Sequence, residues 1–159
     1  MHSSVRAFVA SHVAEHGFAD RQVLEVGSYD VNGSLRDLFG DHYLGVDMRD
    51  GPNVDQVVNA HNLTDVLEPE SFDLVVCCEM LEHDPAFWVS MEQMGRMLRP
   101  EGHLLLTTRG IHFKLHDQPT DLWRFTMDAG PILLSLAGLE GDVIADPQQP
   151  GIFVSGRKP

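Results

Sequence analysis

A glycine-rich turn with a nearby acid is the first feature of this sequence that could form a ligand site. Residues 23–26 form a short apolar run typical of a buried parallel strand, interrupted by Glu25. Gly27 follows at once, and a polar loop that includes Ser28 continues to Gly33. A glycine after a strand is common in α/β proteins, so this turn alone does not identify a ligand.

An acid at the end of the next apolar run makes the glycine-rich turn more specific evidence for a ligand site. Residues 43–46 predict a second strand, and Asp47 follows them. A carboxylate at that position can accept hydrogen bonds from two ribose hydroxyls. In an open α/β sheet, ligands bind at the carboxyl ends of the strands. The turn and the acid together predict a ligand that contains a nucleoside.

Residues 109–125 carry the side chains that could move a proton. Loops of this length in a compact domain are usually functional or disordered, and the Phe, Trp and His residues here favour function. A histidine titrates near neutral pH and can take a proton from a hydroxyl or an amine. The alternative for His116 is that it only holds the loop together. The candidate catalytic residues are His112, His116, Asp117 and Asp121.

Length and composition predict one domain, residues 1–159, with one core. No apolar run approaches the roughly 18–20 residues of a membrane helix, and the N-terminal residues do not resemble a signal peptide. Cys77 and Cys78 are adjacent in a predicted strand, so their side chains point to opposite faces. We therefore expect reduced, packed thiols and a cytoplasmic protein.

A formal net charge of −13 argues against partners that are polyanions. Proteins that bind phosphate backbones need clustered Lys and Arg, whereas 11 basic residues are scattered here among 24 acidic ones. Neither non-specific binding to nucleic acid nor binding to an acidic membrane is expected. Nine histidines are present, but none has a convincing ligand spacing, so no metal is predicted.

The elements that would position these residues alternate between strands and helices. The apolar patterns predict strands at 22–27, 43–47, 54–58, 72–78, 103–108, 139–144 and 152–155. They predict helices at 4–16, 34–39, 63–67, 85–98 and 126–137. The short link between the last two strands predicts antiparallel neighbours. The first helix, within residues 1–20, could flank the ligand pocket or only cover the sheet.

Several polar residues are predicted to cap these helices. Ser3 or Ser4 would cap the first helix, and Ser34 with Asp37 would form a capping box for the second. Asp84 and Thr126 would cap the helices that follow them. Pro131 lies where it would disturb a helix interior, so we expect the last helix to begin at 130 or 131 or to kink there.

The sequence resembles class I methyltransferases, a family that uses S-adenosylmethionine. The resemblance rests on ordered motifs from residue 23 to the end: EVGSYDVNG, YLGVD, NAHNL, SFDLVVCCEMLEH and RMLRPEGHLLLTT. The run HDQPTDLWRFT also resembles a loop of a bacterial branch of that family. The resemblance implies a doubly wound, mostly parallel α/β sheet of seven strands. Their order would be 3-2-1-4-5-7-6, with strand 7 antiparallel and helices on both faces.

The family's motif positions imply which residues bind S-adenosylmethionine, or S-adenosylhomocysteine as product. The glycine loop would approach the methionine part, Asp47 would hold the ribose, and Met48 would pack on adenine. Asn59 and the Ala60 backbone would meet the adenine edge, and Glu79 would lie near the amino group. The full implied set is Glu25, Gly27, Ser28, Gly33, Asp47, Met48, Asn59, Ala60 and Glu79.

Two positions depart from the family pattern. Tyr29 replaces the second glycine of the loop, so the backbone would approach the ligand less closely there. Asn59 replaces the usual aspartate, and an amide both donates and accepts hydrogen bonds. Tyr29 and Asn32 also interrupt the G-x-G-x-x-G pattern that an NAD-dependent oxidoreductase would need. A scaffold that binds the cofactor without catalysis stays open as an alternative.

The net charge and the absence of an inserted segment predict the chemical class of the methyl acceptor. The sequence has no long extra segment for a separate substrate lid. A strongly negative body would repel a polyanion. We therefore expect a small, neutral or weakly charged acceptor, methylated on oxygen or nitrogen. Nucleic acid is the second choice, a protein side chain stays open, and the sequence leaves the oligomeric state undetermined.

Overall fold

Seven strands form one sheet in the computed structural model, which describes residues 2–116 and 120–159. Their spatial order is β3-β2-β1-β4-β5-β7-β6. All neighbouring pairs are parallel except β5 with β7 and β6 with β7. The order and directions predicted for the sheet are confirmed. The strands are β1 Val23–Val26, β2 Tyr43–Asp47, β3 Gln56–Val57, β4 Phe72–Cys78, β5 Leu98–Arg109, β6 Glu140–Ala145 and β7 Gly151–Arg157.

Helices pack on both faces of the sheet. They are α1 Ser3–His16, α2 Leu63–Val66, α3 Phe87–Met97 and α4 Ala129–Ala137. Successive residues of β4 alternate between the faces, because side chains alternate along a strand. Leu74 and Val76 join the core that contains α1, whereas Val75 and Cys77 join the core that contains α3 and α4. Both faces of β4 are therefore buried, and Cys77 and Cys78 are free thiols as expected.

Helix α1 has the predicted extent but not the predicted cap. Its N-cap is His2 and no side chain caps it. The Ser3 hydroxyl instead donates to Gln148 at 2.7 Å, and Ser4 is buried. Helix α1 ends as predicted at Gly17, whose φ of 68° lies in the left-handed region. The distant partner of Ser3 cannot be inferred from local sequence.

The helix predicted at 34–39 is wrong, because only a 3-10 turn forms at Arg36–Leu38. The predicted capping box fails because Asp37 accepts two hydrogen bonds from Arg6 of α1, at 2.9 and 2.6 Å. Arg36 is likewise held by a distant residue, Asp55, at 2.6 Å. These long-range pairs, together with complete burial of Leu35, keep the segment in an irregular conformation.

Helices α3 and α4 both begin later than predicted. Asp84 accepts from the Ala86 N–H at 2.9 Å, so it caps a short turn before α3 and not α3 itself. The predicted Thr126 cap is also wrong, because α4 begins at Ala129 with Asp128 as its N-cap. Pro131 is then the third helical residue, where its missing N–H would have had no intrahelical partner.

Five of the seven strands have bounds that differ from the prediction by one or more residues. Strand β3 is shorter, because the Asp55 N–H donates to Gly45 and Val54 belongs to the preceding turn. Strand β5 is longer and starts at Leu98, which pairs with Phe72 across a register shift. Among the described residues, no helix has the length and apolarity that crossing a bilayer requires.

Candidate active site

A cavity of about 370 Å³ opens at the carboxyl ends of β1, β2 and β4. These strand ends are adjacent because β1 pairs with both β2 and β4. The volume is in the range of small-molecule sites. We call its lining residues within 25–33, 47–49 and 58–61 the glycine side, and those within 78–85 and 113–116 the histidine side. His2, just before α1, also lines the cavity, so α1 both flanks it and covers the sheet.

Every residue predicted to bind the cofactor lines this cavity. They come from the ends of three strands and from the 3-10 turn at Ala60–Asn62. The structure thus gathers side chains that are up to 54 positions apart, from Glu25 to Glu79. The nine residues are Glu25, Gly27, Ser28, Gly33, Asp47, Met48, Asn59, Ala60 and Glu79.

The turn at Gly27 is fixed by its backbone and by a close neighbour. Gly27 has a φ of 80°, which L side chains rarely adopt. A Cβ there would lie 2.8 Å from Met80 Cγ. The N–H groups of Gly27 and Ser28 both donate to the Val46 carbonyl, at 2.9 and 3.0 Å. The turn is therefore tied to the end of β2, beside Asp47.

Glu25 is at the centre of a buried hydrogen-bond network. It is 4% exposed and accepts a hydrogen bond from the Tyr43 hydroxyl. Asn53 donates to that hydroxyl at 3.0 Å and to the Ser28 carbonyl at 2.9 Å. Burial raises the pKa of Glu25 to about 7, against the opposing effect of the Tyr43 hydrogen bond. The network holds the glycine loop through the hydrogen bond from Asn53 to the Ser28 carbonyl.

Asp47 is oriented by backbone N–H groups. Its Oδ1 accepts from the Arg49 N–H at 2.9 Å, and its Oδ2 lies 3.4 Å from the Tyr29 nitrogen. The Arg49 guanidinium lies 4.4 Å from the centre of the Tyr29 ring. Tyr29, which replaces a glycine of the family pattern, thus packs against Arg49 at the cavity wall. Met48 is 63% exposed and offers an apolar surface.

Asn59 uses its amide oxygen within the protein. The oxygen accepts from the His61 N–H at 2.9 Å and caps the 3-10 turn. The amide nitrogen is then the atom with which Asn59 could contact a ligand. The ring of His61 is held in turn by Asp84, with 2.7 Å between Nε2 and Oδ1.

Glu79 lies at the point where β4 meets the histidine side. Its φ of 58° is unusual for a residue with a side chain, and such conformations are often found at functional sites. Thr107 donates to it at 2.9 Å, and Arg109 forms an ion pair with it. Burial, and then the charge of Glu82, raise the pKa of Glu79 to about 7.

Arg109 also lies in this region, although it is not among the residues that the sequence predicts to bind the cofactor or to act in catalysis. It is 1% exposed and also pairs with Asp146 at 3.2 Å. Its guanidinium lies 4.4 Å from the centre of the Phe113 ring. Arg109 therefore connects Glu79 to the loop after β5. An arginine at the end of a predicted buried strand is the signal that could have revealed it.

Of the candidate catalytic residues that the structure describes, His116 lines the cavity, whereas His112 and Asp121 do not. Asp117 lies outside the described residues. The Arg124 guanidinium holds the pKa of Asp121 well below its usual range. Asp121 also accepts from the His116 backbone N–H at 2.8 Å. Asp121 forms an ion pair with Arg124 and is accordingly a weak base.

The histidine side contains further residues for which the sequence gave little indication. His83 lines the cavity, and its ring centre lies 4.7 Å from that of His116. His83 is the last residue of the motif SFDLVVCCEMLEH, and its place in that motif is the sequence signal that could have identified it. Trp123 donates to the Asp84 carbonyl at 2.8 Å and contacts Phe87 edge-on.

The sheet order and the placement of this cavity are those of class I, Rossmann-like methyltransferases, which use S-adenosylmethionine. The chain belongs to the methyltransferase-domain family, whose model matches residues 1–138. This family membership makes the protein an enzyme of the transferase class.

Curated relatives match this chain at low identity. The ubiquinone biosynthesis O-methyltransferase of Pseudomonas savastanoi pv. phaseolicola is 28% identical over 163 aligned positions, which cover 77% of this chain and 69% of that protein. The protein of the same name from Photobacterium profundum is 34% identical over 58 residues, which are 36% of this chain and 25% of that protein.

Solved structures share the fold. The 1,6-didemethyltoxoflavin-N1-methyltransferase of Burkholderia thailandensis, crystallised with 1,6-didemethyltoxoflavin and S-adenosylhomocysteine, has a TM-score of 0.74 at 16% identity. The match covers 98% of this chain and 78% of that one. The cyclase SpnF also has a TM-score of 0.74 at 16% identity, over 96% of this chain and 80% of its own. Because the second of these is a cyclase, the fold does not by itself determine the reaction.

Proposed function

We propose that this protein transfers a methyl group from S-adenosylmethionine to an oxygen or nitrogen of a small, neutral or weakly charged acceptor. The acceptor atom would attack the methyl carbon as the carbon–sulfur bond breaks, releasing S-adenosylhomocysteine, while the acceptor proton leaves to solvent or a base. The protein's contribution would be to position the two substrates and exclude water. The observation that carries the proposal is one cavity shared by the glycine and histidine sides.

The glycine side, together with Glu79 at the border of the histidine side, would hold the cofactor. In this assignment Asp47 accepts hydrogen bonds from the ribose hydroxyls and Met48 packs on adenine. Asn59 and the Ala60 backbone contact the adenine edge. Glu25, Gly27, Ser28 and Gly33 would surround the methionine part, with Glu79 near its amino group. The support is that all nine residues line the same cavity, with Asp47 already oriented by N–H donors.

The histidine side would receive the acceptor. His116 lines the cavity. The catalytic roles of His112, Asp117 and Asp121 stay predictions, because the described structure does not place these residues in the cavity lining. The loop that borders this side exposes apolar side chains, including Leu115, which is 82% exposed. An apolar border favours an uncharged acceptor. The name of the curated relatives, O-methyltransferase, favours oxygen as the atom that is methylated.

The setting of the reaction is part of the same proposal. We place the enzyme in the cytoplasm, acting as a single methyltransferase domain, and the free thiols support that compartment. The net charge of −13 argues against non-specific binding of nucleic acid. The family membership disfavours a scaffold without turnover. Tyr29 and Asn32 in the glycine loop disfavour an NAD-dependent oxidoreductase.

Calorimetric titration tests the cofactor. S-adenosylhomocysteine at about a hundred times its dissociation constant should stabilise the protein by roughly 2.7 kcal/mol. NAD is the matched control, since it also carries adenine and ribose. Heat and a melting shift with NAD but not with S-adenosylhomocysteine would overturn the assignment.

A screen with S-adenosylmethionine labelled in the methyl group tests the acceptor. We expect label in a small-molecule fraction of a cell extract and none in RNA, DNA or protein. Label that moves only into a macromolecular fraction would refute the acceptor class. Cofactor binding without label in any fraction would favour the scaffold.

A further inference from the structure

Three side chains of metal-ligand type converge on the histidine side of the cavity. Glu82 and His83 belong to the 3-10 turn after β4, and His116 belongs to the loop after β5. One ligand atom from each lies within 4.8 Å of the others. Metal bonds of about 2.0–2.2 Å at the tetrahedral angle join ligand atoms about 3.3–3.6 Å apart, so the side chains would need to close by up to about 1.5 Å.

Glu82 presents a buried carboxylate oxygen to which none of the described residues donates a hydrogen bond. The residue is 0% exposed, and its Oε2 accepts from the Thr108 hydroxyl at 2.8 Å. Across residues 2–116 and 120–159, its Oε1 has no hydrogen-bond partner. A buried polar atom without a partner costs about 1–3 kcal/mol, so its persistence requires an explanation. A bound cation would supply the missing partner.

The two histidines are oriented with a ring nitrogen available to an ion. His83 Nδ1 faces the Thr120 carbonyl, which can only accept, so Nδ1 must carry the proton. His116 Nδ1 lies 3.3 Å from Asp121 Oδ2. In His83, Nε2 then keeps its lone pair, whereas His116 Nδ1 is a buried ring nitrogen without a hydrogen-bond partner among the described residues. Histidines that bind metals commonly donate their other N–H to a carbonyl or a carboxylate in this way.

The charges around the cluster also favour a cation. Glu79 lies three positions before Glu82, and the negative charges of the two carboxylates raise each other's cost of ionisation. Arg109 and Arg124 oppose that effect at Glu82. A divalent ion would favour the charged form of the carboxylate that it contacts.

We propose that Glu82, His83 and His116 bind one divalent transition-metal ion at the acceptor side of the cavity. Two imidazoles and one carboxylate suit Zn²⁺, Mn²⁺, Fe²⁺ or Co²⁺ better than Mg²⁺, which prefers oxygen ligands. Because His83 and His116 line the cavity, the open coordination positions would face the acceptor. This assignment makes His116 a ligand and not a free base, and it departs from the absence of metal expected from the sequence.

The function of the ion rests on the proposed methyl transfer. A bound metal lowers the pKa of an oxygen that it ligates and fixes its position. An acceptor hydroxyl on the ion would release its proton to solvent more easily and then attack the methyl carbon as an alkoxide or phenolate. The ion therefore favours oxygen over nitrogen as the methylated atom.

Metal titration of the full chain tests the site without knowledge of the acceptor. Protein dialysed against a chelator would be titrated with Co²⁺, followed by its visible absorption, and with Zn²⁺ and Mg²⁺ by calorimetry. We expect one equivalent of Co²⁺ and of Zn²⁺ to bind more tightly than Mg²⁺. His116→Ala and Glu82→Gln should each weaken binding at least 10-fold, as even indirect support of a metal ligand is worth about 10- to 100-fold.

The matched control is His42→Ala, which removes one exposed histidine before β2, outside the cavity lining. It should leave the affinity for Co²⁺ unchanged. His83→Ala provides a second ligand variant if Glu82→Gln does not fold, as judged by circular dichroism. No binding by the wild type, or equal affinity in the ligand variants and the control, would overturn the site. Titration with S-adenosylhomocysteine on the same samples separates this failure from failure of the proposed function.

Discussion

The glycine side and the histidine side of the cavity are built in different ways. The glycine side consists of turns that directly follow neighbouring strands, and backbone hydrogen bonds such as those from Gly27 and Ser28 to Val46 hold it. The histidine side consists of the 3-10 turn Leu81–His83 and a loop after β5. Backbone hydrogen bonds from Leu122 and Trp123 to the Glu82 carbonyl join the two, and side chains add further contacts. The backbone of the first side is thus set by adjacent strand ends, whereas the second side depends on a longer loop and on more side-chain contacts.

This difference suggests how one fold can serve many acceptors. Strand ends have nearly the same position whatever side chains they carry, so a site made from them suits a shared cofactor. A loop held by individual side chains can change with few substitutions. We expect substitutions on the glycine side to affect cofactor binding and stability strongly, and those on the histidine side to affect them weakly.

The largest effect is expected for Gly27→Ala. A side chain at a φ of 80° costs about 1–2 kcal/mol, and forcing its Cβ against Met80, 2.8 Å away, adds about 1–3 kcal/mol. Gly138→Ala is the matched control, because its φ is 69° but no atom lies within 4 Å of the added Cβ. Urea denaturation should show a loss of about 2–5 kcal/mol for the first and about 1–2 kcal/mol for the second. Equal losses would mean that the turn tolerates a Cβ.

Asp47→Ala should reduce cofactor affinity by at least about 100-fold. Each hydrogen bond to a charged group is worth about 1.5–3 kcal/mol, and two ribose hydroxyls would be lost. Asp50→Ala removes the same charge from an exposed position three residues later that is not part of the cavity wall. Calorimetric titration with S-adenosylhomocysteine should separate the two variants. Similar dissociation constants would place the ribose elsewhere.

The effect of pH should reveal the buried carboxyl of Glu25. Its pKa rises from 4.5 to about 7 on folding, so between these values the folded state holds a proton that the unfolded state has lost. The free energy of unfolding must then fall as pH rises through this window, by up to about 3 kcal/mol. Glu25→Gln keeps an acceptor for Tyr43 and removes this contribution.

Urea denaturation across that pH range gives the measurement. The variant should gain stability relative to the wild type as pH rises from 4.5 to about 7. Glu79 also has a pKa of about 7, but it is present in both proteins, so the difference isolates Glu25. A difference that does not vary with pH would show that the carboxyl ionises normally in the folded protein.

The glycine side was also the part of the site that could be predicted from the sequence. Strand β4 was predicted to the residue, at Phe72–Cys78, because a strand buried on both faces is a continuous apolar run. Gly27 directly follows β1, and Asp47 is the last residue of β2. The parallel arrangement of these strands therefore predicts that both residues lie at the same edge of the sheet. The order of the strands came from the family resemblance.

The histidine side could not be predicted because its contacts are long-range. His83 and His116 are 33 positions apart, and no short spacing connects them. The same reason explains the wrong helix at 34–39, where Asp37 pairs with Arg6 and not with its neighbours. Local pattern cannot show that a polar side chain is already occupied by a distant partner.

The smallest effect is expected for Trp123→Phe on the histidine side. Phenylalanine keeps the edge contact with Phe87 but loses the N–H that reaches the Asp84 carbonyl at 2.8 Å. One such hydrogen bond is worth about 1 kcal/mol. Because Asp84 begins the turn that leads into α3, the loss would loosen the loop while the strand ends keep their positions. Affinity for S-adenosylhomocysteine should change by less than about threefold, which corresponds to roughly 0.6 kcal/mol.

Trp88→Phe is the control for this variant, since Trp88 also contacts Phe87 edge-on and is 46% exposed. A surface change of this kind should alter stability by no more than about 0.5 kcal/mol. The chain has two tryptophans, so each variant leaves one fluorophore, and in Trp88→Phe the emission reports on Trp123 alone. If Trp123→Phe weakens cofactor binding as much as Asp47→Ala, the two sides are one cooperative unit and the contrast between them is wrong. A loss confined to loop stability would mean that the acceptor side can vary while the cofactor side stays fixed.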